Sequence, residues 1–200
     1  MMPQPDALPR VRRRRADAER SIDAIVTAAR TVLRERPDAG MEEIAGAAGL
    51  TRQTVYAHFA SRDALVAAVI NAERAVGLDA MDAAGLDDLS PVDALRRFLE
   101  ISWELVDRCP LLLDPALANT PAPDGDDPHR TVAVRLERII RRGQECGDFD
   151  RALPVGWLAA ATFGLGHAAA EQLALGKLGP TEAMSTLAAT VLRLYGASNS

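Results

Sequence analysis

The sequence has few of the residues that most chemistries require. Its 200 residues include three histidines and two cysteines. His58, His129 and His167 are scattered without ligand spacing, and Cys109 and Cys146 lie far apart with no CxxC pair. Neither a metal centre nor a disulfide framework is therefore expected, and both thiols are read as reduced and mostly buried. No nucleophile elbow and no paired-carboxylate arrangement is present, so the chain is not expected to be an enzyme or to carry a cofactor. No apolar run approaches the ~18 residues that a membrane helix needs. The N-terminal stretch contains proline and arginine but no apolar core of a secretory signal, so the expected location is the cytoplasm. Alternating apolar and polar residues are absent too, which leaves an all-α fold.

What remains is a chain with 48% hydrophobic residues, enough to bury a real core, and a net charge of −5. That charge is unevenly distributed. Residues 1–62 hold 11 arginines against 8 acids, whereas the other 138 residues hold 12 basic and 20 acidic side chains. Only the first third favours phosphates. Arg10, Arg12, Arg13, Arg14 and Arg15 concentrate the positive charge ahead of the first helix. Residues 1–17 read as a flexible basic arm, which is either a solvated tail or a segment that contacts DNA beside the main site.

Helical periodicity runs through the rest. Ile22, Ile25, Val26, Ala29, Val32 and Leu33 form the apolar stripe of a first helix, closed by Pro37 and Gly40. A short segment with Ile44, Ala45 and Ala48 stops at Gly49, and Thr51 caps another carrying Val55, Tyr56 and Phe59. Ser61 caps a helix with Leu65, Val66, Val69 and Ile70 on its buried face. The spacing loosens after about residue 76 through Gly77, Gly85 and an acidic patch, which reads as a connection between units or as one with helix running through part of it. Ser90-Pro91 with Asp93 then starts a helix that ends at Pro110. Residues 119–128, NTPAPDGDDP, read as a polar loop, followed by a helix with Leu136, Ile139 and Ile140. Two last helices, roughly 154–176 and 180–196, are separated by Gly179-Pro180.

Residues 41–66, MEEIAGAAGLTRQTVYAHFASRDALV, pair two short helices across a glycine turn, the arrangement of a helix-turn-helix. Ala45 and Ala48 allow a close crossing, while Ile44, Leu50, Val55 and Phe59 supply a compact core. The other face of the second helix carries Arg52, Gln53, Thr54, Tyr56 and His58, groups able to donate to phosphates or base edges. The segment resembles the DNA-binding domain of the TetR family of bacterial repressors. The resemblance rests on Ile44-Ala45, Ala48-Gly49, Thr51, Tyr56-Ala57-His58-Phe59 and Ser61-Arg62-Asp63-Ala64-Leu65, and is close over about residues 18–70. It implies that Thr51, Thr54, Tyr56 and His58 meet phosphates, with Arg62 standing for the usual lysine as a further backbone contact. Arg52 and Gln53, at the exposed start of the recognition helix, are the expected base readers. Tyr56 could instead mainly pack, and Thr54 mainly bond to its own helix. Two departures stand out. Gly40 replaces a frequent threonine that caps the preceding helix and touches phosphate, and Gln53 replaces a frequent glycine or proline.

A three-helix DNA-binding domain at 18–66 and a larger helical domain at 67–200 for ligand binding and dimerisation follow from the resemblance. Two recognition helices tied by symmetry read two half-sites, so a homodimer on a palindromic operator is expected. The last two helices are the expected interface, with Leu158, Ala161, Gly164, Ala168, Ala169 and Ala170 on one and Leu187, Val191 and Leu194 on the other, unless that face packs internally. Phe98, Trp103, Trp157, Phe163 and His167 concentrate the bulky groups of this half. They are either ordinary core or the lining of a pocket for an unidentified apolar or amphipathic effector that releases the DNA. Two rival readings remain. Gly164-Leu165-Gly166-His167-Ala168-Ala169 matches a dinucleotide-binding pattern but lacks a preceding strand, lying instead within a helical stretch. The other rival is a helical interaction protein with vestigial DNA contacts.

Overall fold

In the computed structural model the backbone is described for residues 7–113 and 128–197, and the side chains for 17–112 and 130–197. Among the described residues every regular element is helical: α1 (Ala7–Glu35), α2 (Met41–Ala47), α3 (Arg52–His58), α4 (Arg62–Ala83), α5 (Pro91–Arg108), a 3-10 turn at Pro110–Leu113, α6 (Pro128–Cys146), α7 (Val155–Ala174) and α8 (Pro180–Leu194). The chain divides into two compact units between Ala72 and Glu73, within α4.

In the first unit α1 packs on α2 and α2 on α3. Ile25, Ala29 and Leu33 of α1, Ile44 and Ala45 of α2, Val55 of α3, and Leu65, Val66, Val69 and Ile70 of α4 are buried, the apolar stripes expected from spacing. Gly49 has φ 67°. This left-handed conformation suits glycine and lets the Leu50 amide donate back to the Ala45 carbonyl at 2.9 Å, which ends α2. α1 begins at Ala7, so the arginines expected ahead of the first helix lie on helical backbone; their side chains fall outside the described residues.

In the second unit α5, α6, α7 and α8 surround a core that includes Leu95, Phe98, Leu136, Ile140, Leu158, Leu187 and Val191. Ser90 caps α5, its Oγ accepting the Asp93 amide at 3.2 Å. The stretch after residue 76, expected as a connection with helix through part of it at most, is continuous helix as far as Ala83. Gly77 does not break α4 because it serves packing: a Cβ there would lie 2.7 Å from Leu105 Cδ2. One turn earlier, the buried Glu73 carboxylate accepts from Arg108 Nη2 at 2.5 Å. Arg142 donates to the carbonyls of Leu86 and Leu89, at 3.0 and 2.6 Å, closing the chain after α4. Cys109 is buried as expected, but Cys146 is exposed, because it is the last residue of α6 and precedes a turn. Of the loop expected over 119–128, residues 119–127 lie outside the described residues, and Pro128 instead begins α6.

Candidate nucleic-acid interface

α3 is seven residues long and buries one of them, Val55. A helix this short holds its place through its ends. Thr51 supplies the start: its Oγ1 accepts the Thr54 amide at 3.1 Å. Phe59, half-buried, closes the other end with its amide on the Val55 carbonyl at 2.9 Å. With Val55 pointing inward, Arg52, Gln53 and Tyr56 are exposed and Thr54 and His58 are partly so.

The hydroxyls of Thr51 and Thr54 lie 2.8 Å apart. One of their two protons is used in that bond, and the other stays available to an acceptor such as a phosphate oxygen. The Arg52 guanidinium sits over the Tyr56 ring, 5.3 Å from its centroid. Contact with Tyr56 pushes the already high Arg52 pKa further up, so the side chain is a permanent cation. Stacking on the residue one turn later also restricts the long arginine to the side of the helix that carries Tyr56. Tyr56 is 41% exposed, and its ring supports Arg52 instead of filling the core.

Arg62 is placed differently from its neighbours. Its Nε donates to the Ala39 carbonyl at 3.0 Å and its Nη2 to the Pro37 carbonyl, so the guanidinium faces the α1–α2 turn. Gly40, which has no side chain to offer a phosphate, gives its amide to Glu43 Oε2 at 3.0 Å, and Glu43 also pairs with Arg36. Sequence reading passed over Glu43. The signal was available, since a glutamate at the third position of a helix is one half of a capping box.

The five bulky residues singled out in the second unit do not share one environment. Phe98 is buried in the core, and Trp103 and Phe163 are half-buried against it. Trp157 is 61% exposed on α7. His167 is exposed, with Nδ1 2.8 Å from the Phe163 carbonyl of its own helix. An open cleft of about 350 Å³ in this unit is lined by none of the five; Met81, Asp82, Asp87, Arg135 and Arg138 are among its walls. Asp82 and Asp87 are paired there with Arg135 and Arg138 at 2.7 and 2.6 Å. Gly164 to Ala169 lies inside α7, with no strand before it among the described residues. The described residues contain no cluster of metal-ligating side chains and no helix long and apolar enough to cross a membrane.

Residues 25–69 match the sequence profile of the bacterial regulatory proteins of the tetR family. No curated protein sequence matches the chain. Solved structures match it over most of its length. A TetR-family transcriptional regulator from Rhodococcus sp. is 19% identical with a TM-score of 0.71, covering 88% of this chain and 98% of that one. RolR in complex with resorcinol is 27% identical with a TM-score of 0.61, covering 92% and 91%. The TetR-like regulator LfrR from Mycobacterium smegmatis, in complex with proflavine, is 25% identical with a TM-score of 0.62, covering 86% and 94%. The helix-turn-helix at residues 41–58 and the profile match that spans it make residues 25–69 a DNA-binding domain of the tetR family, and the chain as a whole shares the fold of TetR-family regulators of known structure.

Proposed function

We propose that the protein is a cytoplasmic repressor that binds a palindromic operator as a homodimer and is released by a small apolar or amphipathic ligand. The observation that carries the DNA half is the surface of α3, where Arg52, Gln53, Thr54 and Tyr56 face outward around a single buried anchor, Val55. Arg52 and Gln53 read base edges, arginine matching guanine and glutamine matching adenine at bidentate geometry. Thr51, Thr54, Tyr56 and His58 hold the helix to phosphates. The arginines of residues 10–15 add to the positive charge of this third of the sequence.

The sensing and dimerisation domain is proposed to begin at about residue 67. Support for the dimer comes from α7, which leaves Trp157, Ala160, Gly164, Ala168 and Leu175, the residue closing its C-terminal end, exposed along one side, a surface that a second copy would cover. Trp157 is thereby assigned to the interface. The ligand is proposed to meet Trp103 and Phe163; the family relatives bind resorcinol and proflavine, in keeping with an effector of that character. Release follows if the ligand favours a conformation whose recognition helices no longer fit successive half-sites.

Binding of the intact protein to a labelled random-sequence duplex, followed by anisotropy at several salt concentrations, tests the central reading. Salt-sensitive binding that weakens in the Arg52→Ala, Gln53→Ala variant is expected. Absence of binding at low salt would favour the interaction-protein reading.

A further inference from the structure

The resemblance to the family assigns Arg62 to phosphate, but the geometry gives its guanidinium another task. Arg62 reaches back 23 and 25 residues, donating from Nε to Ala39 O at 3.0 Å and from Nη2 to Pro37 O. These carbonyls belong to the turn between α1 and α2. The same turn is held from within: the Ala39 amide donates to Arg36 O at 3.0 Å, and the Gly40 amide to Glu43 Oε2 at 3.0 Å. Glu43 is in turn paired with Arg36. Gly40, without a Cβ, is the freest point of this stretch, so its position depends on these bonds. Ala39 and Met41 on either side of it are buried. Swinging Arg62 towards a phosphate would leave two turn carbonyls without the cation they now accept from, one of them in a part-buried setting.

We infer that Arg62 is a positioning residue for DNA binding and not a phosphate contact. Its fork fixes the α1–α2 turn and with it the start of α2, the helix against which α3 packs. Lysine in the same place carries the charge but presents a compact ammonium instead of a planar fork, so it cannot reproduce the paired bonds. The inference rests on the reading of α3 as the DNA-contacting helix.

The test compares the intact protein with Arg62→Lys and Arg62→Ala. Duplex affinity is measured against salt at a temperature where circular dichroism shows each variant fully folded, and hydrogen exchange is followed at the amides of residues 39–44. The expected result is an affinity loss of about tenfold in both variants, with the salt slope unchanged and exchange at Ala39 and Gly40 accelerated. A lower slope in Arg62→Ala, by ~0.9, with affinity retained in Arg62→Lys, would establish a phosphate contact and overturn the inference. Unchanged affinity in both folded variants would overturn it as well, leaving Arg62 only a structural part. If the intact protein binds no duplex, the DNA reading itself has failed. Exchange then decides alone whether the turn is clamped by Arg62: faster exchange upholds the clamp, and unchanged exchange rejects it.

Discussion

Substituting Gly143 with alanine sets two opposing effects against each other, and the structure says which is larger. Gly143 lies within α6, where alanine is intrinsically favoured by ~1 kcal/mol. A Cβ there, however, would stand 2.0, 2.4 and 2.6 Å from Cδ2, Cε2 and Cγ of Phe149. The ring has little room to retreat. Phe149 is 2% exposed, its amide is bonded to the Gly143 carbonyl at 3.0 Å, and its ring meets Tyr195 edge-on with centroids 5.1 Å apart. Forcing the ring aside costs ~1–3 kcal/mol for overpacking, and expelling it forfeits ~1.5–3 kcal/mol of burial. If both occur, they exceed the helix gain by ~1.5–5 kcal/mol. In a chain of this size each kcal/mol moves the melting temperature by ~2–4 °C, so Gly143→Ala should melt roughly 3–20 °C lower. Gly166→Ala is the control: it lies inside α7 with nothing within 4 Å of its Cβ, so it should melt at or slightly above the intact protein. Thermal unfolding followed by circular dichroism reads both. Equal melting of Gly143→Ala and the intact protein would refute the packing argument.

Other outcomes follow from single residues. Thr51→Ala removes the bond to the Thr54 amide and should cost ~1 kcal/mol in urea unfolding of the N-terminal unit, whereas Thr51→Ser should restore most of it. Burial, reinforced by Glu73, raises the Cys109 pKa, so a thiol-alkylating reagent at neutral pH should label the exposed Cys146 and spare Cys109 until the protein unfolds; prompt labelling of Cys109 would contradict its placement. Burial pushes the Tyr195 phenol from 10.0 up to about 12, against the opposing pull of its bond to Thr162. Folding therefore favours the neutral phenol. Its contribution is full below pH 10 and is lost as the pH rises towards about 12, amounting to at most ~3 kcal/mol. Stability measured across that range should fall, and Tyr195→Phe should remove this part of the fall.

Much of the architecture could be read in the sequence because helix ends here are marked by residues with a local cause. Ser90 with Pro91 and Asp93, Thr51, Ser61 and the Gly179-Pro180 pair each fall where a helix starts. The stripes of α1 and α4 were legible because the core faces repeat at helical spacing. Gly77 misled for a tertiary reason: its missing side chain makes room for Leu105, a residue far along the chain, and nothing in the neighbouring sequence reports that. Cys146 misled because thiols usually lie inside, while its exposure is set by the turn that follows α6. Within the site, the outward face of α3 followed from Val55 being its apolar anchor. The task of Arg62 did not, because the carbonyls it binds are brought near only by folding. The aromatic residues of the second half were grouped by type alone, and the structure separates the buried Phe98 from the exposed Trp157.

The central claim is that α3 reads DNA sequence through Arg52 and Gln53. Selection of bound sequences from a random duplex pool at near-physiological salt, performed with the intact protein and with the Arg52→Ala, Gln53→Ala variant, tests it most directly. The account predicts that the intact protein enriches a palindrome and that the variant, though folded, no longer selects it. Failure of the intact protein to enrich any sequence, or enrichment of the same palindrome by the variant, would contradict it.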